Sequence, residues 1–127
     1  MRLKELEVEG IAVFAISGEV DLHFAPALRS LFAAKVKARC PALILDLSGV
    51  DYIDSTGLAT LIEYFRDASE YGGVLCLAGL NEKLKPVFDI VRFDQVLSIF
   101  PTVDEAVKAI QQGRVLPPPS AHDRSVA

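Results

Sequence analysis

The segment Ala42–Leu58, ALILDLSGVDYIDSTGL, decides the fold of this chain. It opens with an apolar run to Leu47 that is typical of a buried strand. A short polar loop follows, after which apolar residues recur at helical spacing: Leu58, Leu61, Ile62, Phe65 and Ala68. The segment therefore predicts a strand, a loop and an amphipathic helix in succession.

Four residues, Asp54-Ser55-Thr56-Gly57, lie where the spacing of apolar residues changes from strand-like to helical. The pattern predicts that Ser55 is exposed at a helix N-terminus, where free backbone N–H groups and the helix dipole favour anions. A phosphate on Ser55 would add about two negative charges at the helix end that tolerates them best. Helix capping by Asp54 or Ser55 is the ordinary use of such residues. The two roles are compatible, because an exposed cap hydroxyl is accessible to a kinase.

Apolar runs along the rest of the chain predict alternating strands and helices. Strands are expected at residues 2–8, 11–16, 42–47, 74–78 and 96–100. Helices are expected at residues 24–39, 55–71, 84–91 and 103–112, with Gly72-Gly73 and Gly113 ending the second and the last. The order ββαβαβαβα predicts an α/β fold, with a mixed sheet of about five strands and about four helices packed against it.

Polar segments follow three of the predicted strands, at residues 17–23, 48–57 and 78–81. Sites in open sheets of this kind lie at the carboxyl ends of the strands. We therefore expect these segments to converge, which would bring Asp21 within reach of Ser55.

Local signals indicate how several elements begin. Glu9-Gly10 is a plausible tight turn between the first two strands, and Asn81 is a candidate cap for the short third helix. Pro86 either delays the start of that helix or kinks it. Thr102 and Glu105 form a Thr-x-x-Glu capping box at the start of the last helix.

Length and composition indicate one domain. The chain has 127 residues, of which 51% are hydrophobic, which is enough to form a core. The domain is expected to span residues 1–113, and the Pro-rich segment 114–127 to be a flexible tail. The net charge of −4 disfavours nucleic acid as a partner, because phosphate binding needs a clustered basic face.

The sequence also predicts a cytoplasmic protein. Residues 1–7 interleave charged and apolar residues, unlike a signal peptide, and the apolar runs are too short to cross a bilayer. Cys40 and Cys76 show neither zinc-ligand nor redox spacing, so both are expected to be reduced, with Cys76 a small core residue.

Three motifs together resemble the STAS domain: Gly18–Leu22 (GEVDL), Ala25–Arg29 (APALR) and Leu45–Leu58 (LDLSGVDYIDSTGL). More closely, the chain resembles the small bacterial anti-sigma factor antagonists that consist of that domain alone. The resemblance covers roughly residues 3–112 and is most specific at Asp54-Ser55-Thr56-Gly57. It departs from the family at Phe24, where members often have a Ser or Thr helix cap.

The resemblance implies a binding switch and no enzyme activity. It implies that an anti-sigma factor that is also a serine kinase phosphorylates Ser55, and that a serine phosphatase restores it. The unmodified form would sequester this kinase and so release a sigma factor for transcription. The implied partner-binding residues are Asp21, Asp54, Ser55, Thr56 and Gly57, with Ala59 and Thr60 also small enough for close approach.

Other chemistry fits the residues less well. Asp46, Asp51 and Asp54 do not have the spacing of a calcium loop, so no metal site is expected. A hydrolytic triad of Ser55, His23 and either Asp21 or Asp54 would lack the G-x-S-x-G elbow, and a carboxylate before the serine would oppose an oxyanion. No Walker A or G-x-G-x-x-G sequence follows a strand, so no cofactor is expected and ATP belongs to the kinase partner.

Two alternative functions stay open at this point. The domain resembles parts of stress-signalling assemblies, in which it would be a scaffold subunit, and parts of membrane transporters, in which it would be a cytosolic accessory subunit. The chain itself is expected to be a monomer or a weak dimer, and direct membrane insertion is not expected.

Overall fold

The chain forms one five-stranded mixed sheet in a computed structural model that describes residues 1–90 and 97–115. The strands are β1 (Arg2–Val8), β2 (Ile11–Val20), β3 (Ala42–Ile53), β4 (Val74–Ala78) and β5 (Ser98–Phe100). They lie in the sheet in this order, with β1 antiparallel to β2 and all other neighbours parallel. The helices are α1 (Ala25–Lys37), α2 (Ser55–Ser69), α3 (Lys85–Ile90) and α4 (Val103–Gln111). The predicted order and the mixed sheet are confirmed.

The predicted turn at Glu9-Gly10 joins β1 to β2. The φ angles of Glu9 and Gly10 are 50° and 82°, so both residues have the left-handed conformation that a tight hairpin turn requires. Glycine adopts it without strain.

Two strands are longer than predicted. The sequence indicated loops at residues 18–20 and 48–53, but these residues belong to β2 and β3. The pairing shifts register twice, first between the pairs Ala15–Asp46 and Ser17–Gly49 and again after Gly18. Each shift inserts an extra residue in β3 and breaks the simple alternation that identifies a strand in a sequence.

The sheet separates two apolar cores. On one face, α1, α2 and α3 cover the sheet, and the largest buried side chains include Phe14, Leu28, Leu45, Tyr64 and Phe88. On the other face, α4 packs through Ala106 and Val107 over the middle of the sheet. Because β2, β3 and β4 are buried on both faces, they appear in the sequence as nearly continuous apolar runs.

The last two helices begin as their sequence signals indicated. Asn81 Oδ1 accepts hydrogen bonds from the N–H groups of Lys83 and Leu84, and α3 starts at Lys85. Pro86 therefore occupies the first turn, where its missing N–H costs little, and it delays the helix start. Thr102 Oγ1 accepts from the Glu105 N–H at 3.2 Å, which confirms the cap of α4.

The C-terminal part of the domain continues slightly beyond the predicted boundary. Gly113, at a φ of 70°, follows α4 as expected, but Val115 still packs against the core under α4. The rest of the predicted tail lies outside the described residues, as do Val91 and Val96, which were assigned to the third helix and the last strand. Within the described ranges, no helix is long and apolar enough to cross a membrane.

Cys76 is fully buried in β4, which confirms its predicted place in the core. Burial raises the pKa of its thiol from 9.0 to about 12. The folded state therefore keeps this proton at a pH where the unfolded chain has lost it.

We expect the unfolding free energy to fall as the pH rises above 9, by roughly 1.4 kcal/mol per pH unit for this group. Burial also raises the pKa of the Tyr64 phenol, which acts in the same direction. Urea unfolding of the wild type and Cys76→Ala between pH 8 and about 10.5 separates the contribution of Cys76 from that of Tyr64. The variant should lose less stability over this range, and identical losses would contradict the assignment to Cys76.

Candidate functional site

Ser55 is the first residue of α2 and follows β3 at the carboxyl end of the sheet. It is exposed, as the sequence predicted, whereas the next two residues are partly and fully buried. The helix N-terminus supplies free N–H groups and a positive partial charge around the Ser55 hydroxyl. An added phosphate is therefore accessible to solvent and electrostatically tolerated at this position.

Asp54 is the N-cap of α2 and also joins two parts of the site. Its Oδ1 accepts a hydrogen bond from the Gly57 N–H at 2.9 Å, and its Oδ2 accepts one from the Leu22 N–H at 3.1 Å. Its backbone N–H donates to Val20 O at 3.2 Å. A single residue thus fixes the start of α2 against the segment that follows β2.

Asp54→Ala removes both carboxylate bonds, so we expect it to lower the unfolding free energy by about 1–2 kcal/mol. Asp51→Ala is the matched control, because the Asp51 side chain forms an exposed ion pair with Lys83 at 3.6 Å. That change should cost at most about 0.5 kcal/mol. Urea unfolding at neutral pH measures both, and equal losses would show that the Asp54 contacts contribute no more than a surface charge.

Asp21 organises the start of α1. Its Oδ1 accepts from the N–H groups of His23 and Phe24, at 3.0 and 3.4 Å, and its backbone carbonyl accepts from those of Phe24 and Ala25. Phe24, at the N-cap position, makes no side-chain cap. Asp21 therefore accepts hydrogen bonds at the start of α1, where a Ser or Thr cap would otherwise be the acceptor.

The structure brings Asp21 and Ser55 to the same end of the sheet, as predicted. Leu22 links the two residues: its N–H donates to Asp54 Oδ2, and the Asp21 carboxylate next to it accepts from the His23 N–H. No hydrogen bond links His23 to Ser55 in the described part of the chain, so the geometry does not assemble the triad weighed above.

Two small residues assigned to partner contact are buried in the free domain. A Cβ on Gly57 would lie 2.5 Å from Val20 O, so the missing side chain allows α2 to approach β2 closely. Thr60 is 1% exposed, and its hydroxyl donates to Thr56 O at 2.9 Å. Both residues therefore have packing or hydrogen-bonding roles within the free domain. Thr56 is half-buried and Ala59 is exposed.

Sequence reasoning missed two features of the site. Leu22 is 61% exposed beside the start of α2. The sequence feature that could have indicated it is an apolar residue among the polar residues of its loop. Arg29 on α1 pairs with Glu63 on α2, with Nε 3.1 Å from Oε1, and also donates to Thr60. This cation lies between two helices that are far apart in sequence, so no spacing pattern identified it.

The acidic residues considered as a metal cluster are engaged separately. Asp46 Oδ1 accepts from the Ser48 N–H at 3.0 Å, Asp51 pairs with Lys83, and Asp54 caps α2. Within residues 1–90 and 97–115, no three His, Cys, Asp or Glu side chains form a group that could hold a metal ion.

The mixed sheet, with an exposed serine at the start of the helix after β3, is consistent with a STAS domain, and the STAS domain family model matches residues 4–106. One similar protein, the anti-sigma-B factor antagonist of Bacillus subtilis, is 34% identical over 84 residues, which are 66% of this chain and 76% of that protein. The chain belongs to the STAS-domain family of anti-sigma factor antagonists.

Solved structures agree with this family. The crystal structure of an anti-sigma factor antagonist from Mycobacterium paratuberculosis has a TM-score of 0.79 and 27% identity, covering 87% of this chain and 93% of that one. The phosphorylated form of the Bacillus cell fate determinant SpoIIAA has a TM-score of 0.69 and 16% identity, covering 86% and 99%. The second likeness shows the shared fold alone.

Proposed function

We propose that the protein is a phosphorylation-controlled binding switch with no catalytic activity of its own. Unmodified at Ser55, it sequesters an anti-sigma factor that is also a serine kinase, and this releases a sigma factor for transcription. Phosphorylation of Ser55 ends the interaction, and a serine phosphatase restores it.

The observation that carries this proposal is the exposure of Ser55 as the first residue of α2. The hydroxyl is accessible to a kinase, and its surroundings tolerate an anion. The names of the relatives support an anti-sigma factor as the partner, and SpoIIAA supports phosphorylation on this fold. The scaffold and transporter alternatives are not favoured, because the relative at 34% identity is named an anti-sigma-B factor antagonist.

Electrostatics and size explain how the switch would work. The partner covers the surface around Asp21, Asp54, Ser55 and Thr56, and the Ser55 hydroxyl contributes little bulk. A phosphate on Ser55 puts about two further negative charges beside the Asp54 carboxylate. Burying that charge at an interface without a basic partner costs several kcal/mol, so binding is lost.

The remaining expectations belong to this proposal. ATP binds the kinase partner, and the domain itself needs no cofactor. The protein acts in the cytoplasm as a monomer or a weak dimer, and the partner contact needs neither nucleic acid nor a membrane.

A comparative pull-down from lysate of the native organism tests the proposal. The baits are Ser55→Ala and Ser55→Asp, and bound proteins are identified by mass spectrometry. We expect an ATPase of the histidine-kinase-like type with Ser55→Ala and little of it with Ser55→Asp. Equal recovery of the same proteins by both baits would mean that Ser55 does not control binding and that the function lies in assembly.

A further inference from the structure

Leu22 is the most exposed large apolar side chain among the described residues. It is 61% exposed, compared with 52% for Tyr52 and 45% for Leu6. A single exposed leucine is common on protein surfaces and by itself indicates nothing. At Leu22, however, the backbone is fixed and the location is the site already described.

Hydrogen bonds hold the segment around Leu22 from two sides. The Leu22 N–H donates to Asp54 Oδ2 at 3.1 Å, and the following N–H groups donate to Asp21 Oδ1. None of these bonds uses the Leu22 side chain, which projects from a backbone that is already ordered. A preorganised apolar side chain loses little conformational entropy when a partner covers it.

Two further apolar residues near the starts of α1 and α2 are at least partly exposed. Phe24, which precedes α1, is half-buried, and Ala59 in the second turn of α2 is exposed. The two helices start at the same end of the sheet, where Asp54 contacts both the Leu22 segment and the first turn of α2.

We propose that Leu22 is the apolar contact residue through which the domain binds its protein partner, and that Asp54 is the positioning residue that holds Leu22 for this contact. The partner presents an apolar pocket for the leucine next to the groups that meet Ser55. This inference rests on the proposed function, since the occupant is the same anti-sigma factor.

Charge argues against a second copy of this chain as the occupant. A two-fold symmetric contact centred on Leu22 would bring Asp21 and Asp54 of one copy against the same carboxylates of the other. Like charges placed opposite one another at an interface cost several kcal/mol. The occupant is therefore a different protein, with no acidic groups facing these two residues.

Leu22→Ser tests the contact without disturbing its support. The variant keeps the main-chain N–H that binds Asp54, and the side chain is mostly in solvent, so the unfolding free energy should stay unchanged. The binding probe is the purified ATPase that Ser55→Ala captures, titrated by calorimetry. We expect Leu22→Ser to raise Kd by about 10- to 100-fold, as for loss of one buried leucine contact.

Three further variants complete the experiment. Leu6→Ser, on β1 away from the site, makes the same change at a comparably exposed leucine and should alter Kd by less than about twofold. Leu22→Met keeps an apolar side chain of similar volume and should stay within about threefold of wild type. Asp54→Asn replaces one carboxylate oxygen by an NH2 group, so the side chain can no longer accept both N–H bonds. Hydrogen exchange of the Leu22 amide should therefore become faster, and the Kd of the unmodified domain should rise.

The outcomes separate this inference from the proposed function. If the ATPase binds in a Ser55-dependent way and Leu22→Ser binds as tightly as wild type, the inference is wrong and the proposed function stands. If no Ser55-dependent ATPase is captured, both are wrong. If Leu6→Ser weakens binding as much as Leu22→Ser, a general loss of apolar surface explains the effect and Leu22 has no special role.

Discussion

Phosphorylation of Ser55 is expected to weaken binding of the anti-sigma factor by about a hundredfold or more. The phosphate would lie beside Asp54, whose carboxylate already accepts the Gly57 and Leu22 N–H groups. Those two donors are therefore unavailable to neutralise a second anion. The domain itself should remain folded, because the helix dipole favours negative charge at this position.

Calorimetric titration of the ATPase with the unmodified and the phosphorylated domain measures this effect. Gln112→Glu is a suitable control, because it adds one negative charge at an exposed position after α4, on the other face of the sheet. It should leave Kd within about twofold of wild type, whereas Ser55→Asp should weaken binding strongly. Thermal unfolding of each variant checks that the fold is intact. A phosphorylated domain that binds as tightly as the unmodified one would overturn the switch.

Gly57→Ala is expected to cause the largest loss of stability, about 2–3 kcal/mol. The added methyl carbon would lie 2.5 Å from Val20 O and 2.8 Å from Ile53 Cγ1. Val20 O cannot move away cheaply, because it accepts the Asp54 N–H at 3.2 Å. The strain exceeds the gain in helix propensity of alanine over glycine, about 1 kcal/mol, so α2 must shift away from β2.

Gly113→Ala provides the comparison for this variant. Gly113 has a φ of 70° and no atom within 4 Å of a built Cβ. Its replacement therefore costs only the left-handed conformation, about 1 kcal/mol. Urea unfolding of both variants separates the close contact from a general effect of alanine at glycine positions. If Gly57→Ala were the less damaging of the two, the proposed packing of α2 on β2 would be wrong.

Much of the fold could be predicted because each element has a strong local signal. The apolar runs of β2, β3 and β4 are buried on both faces, and the α2 residues Leu58 and Leu61 recur at helical spacing. The caps at Asp54 and Thr102 depend only on residues three positions away. Signals of this kind are contained within one element and its immediate neighbours.

The features that sequence reasoning missed depend on contacts between distant segments. The ends of β2 and β3 were read as loops because the register shifts there involve both strands at once. Gly57 and Thr60 were assigned to the close approach of a partner, and their contacts with Val20 and Arg29 inside the domain were not anticipated. Exposure of Leu22 follows from the turn at Asp21 and the bond to Asp54, which no local pattern contains.

The strand order of the sheet has a consequence for how the chain folds. Every strand from β2 to β5 pairs with the strand that precedes it along the chain. Each pairing closes a loop over one turn or one helical connection, so the sequence separation of contacting residues stays low for a mixed sheet. No strand has to insert between two others that are already paired. The sheet can therefore grow in one direction, from the β1–β2 hairpin onwards, while the later part of the chain is still being synthesised.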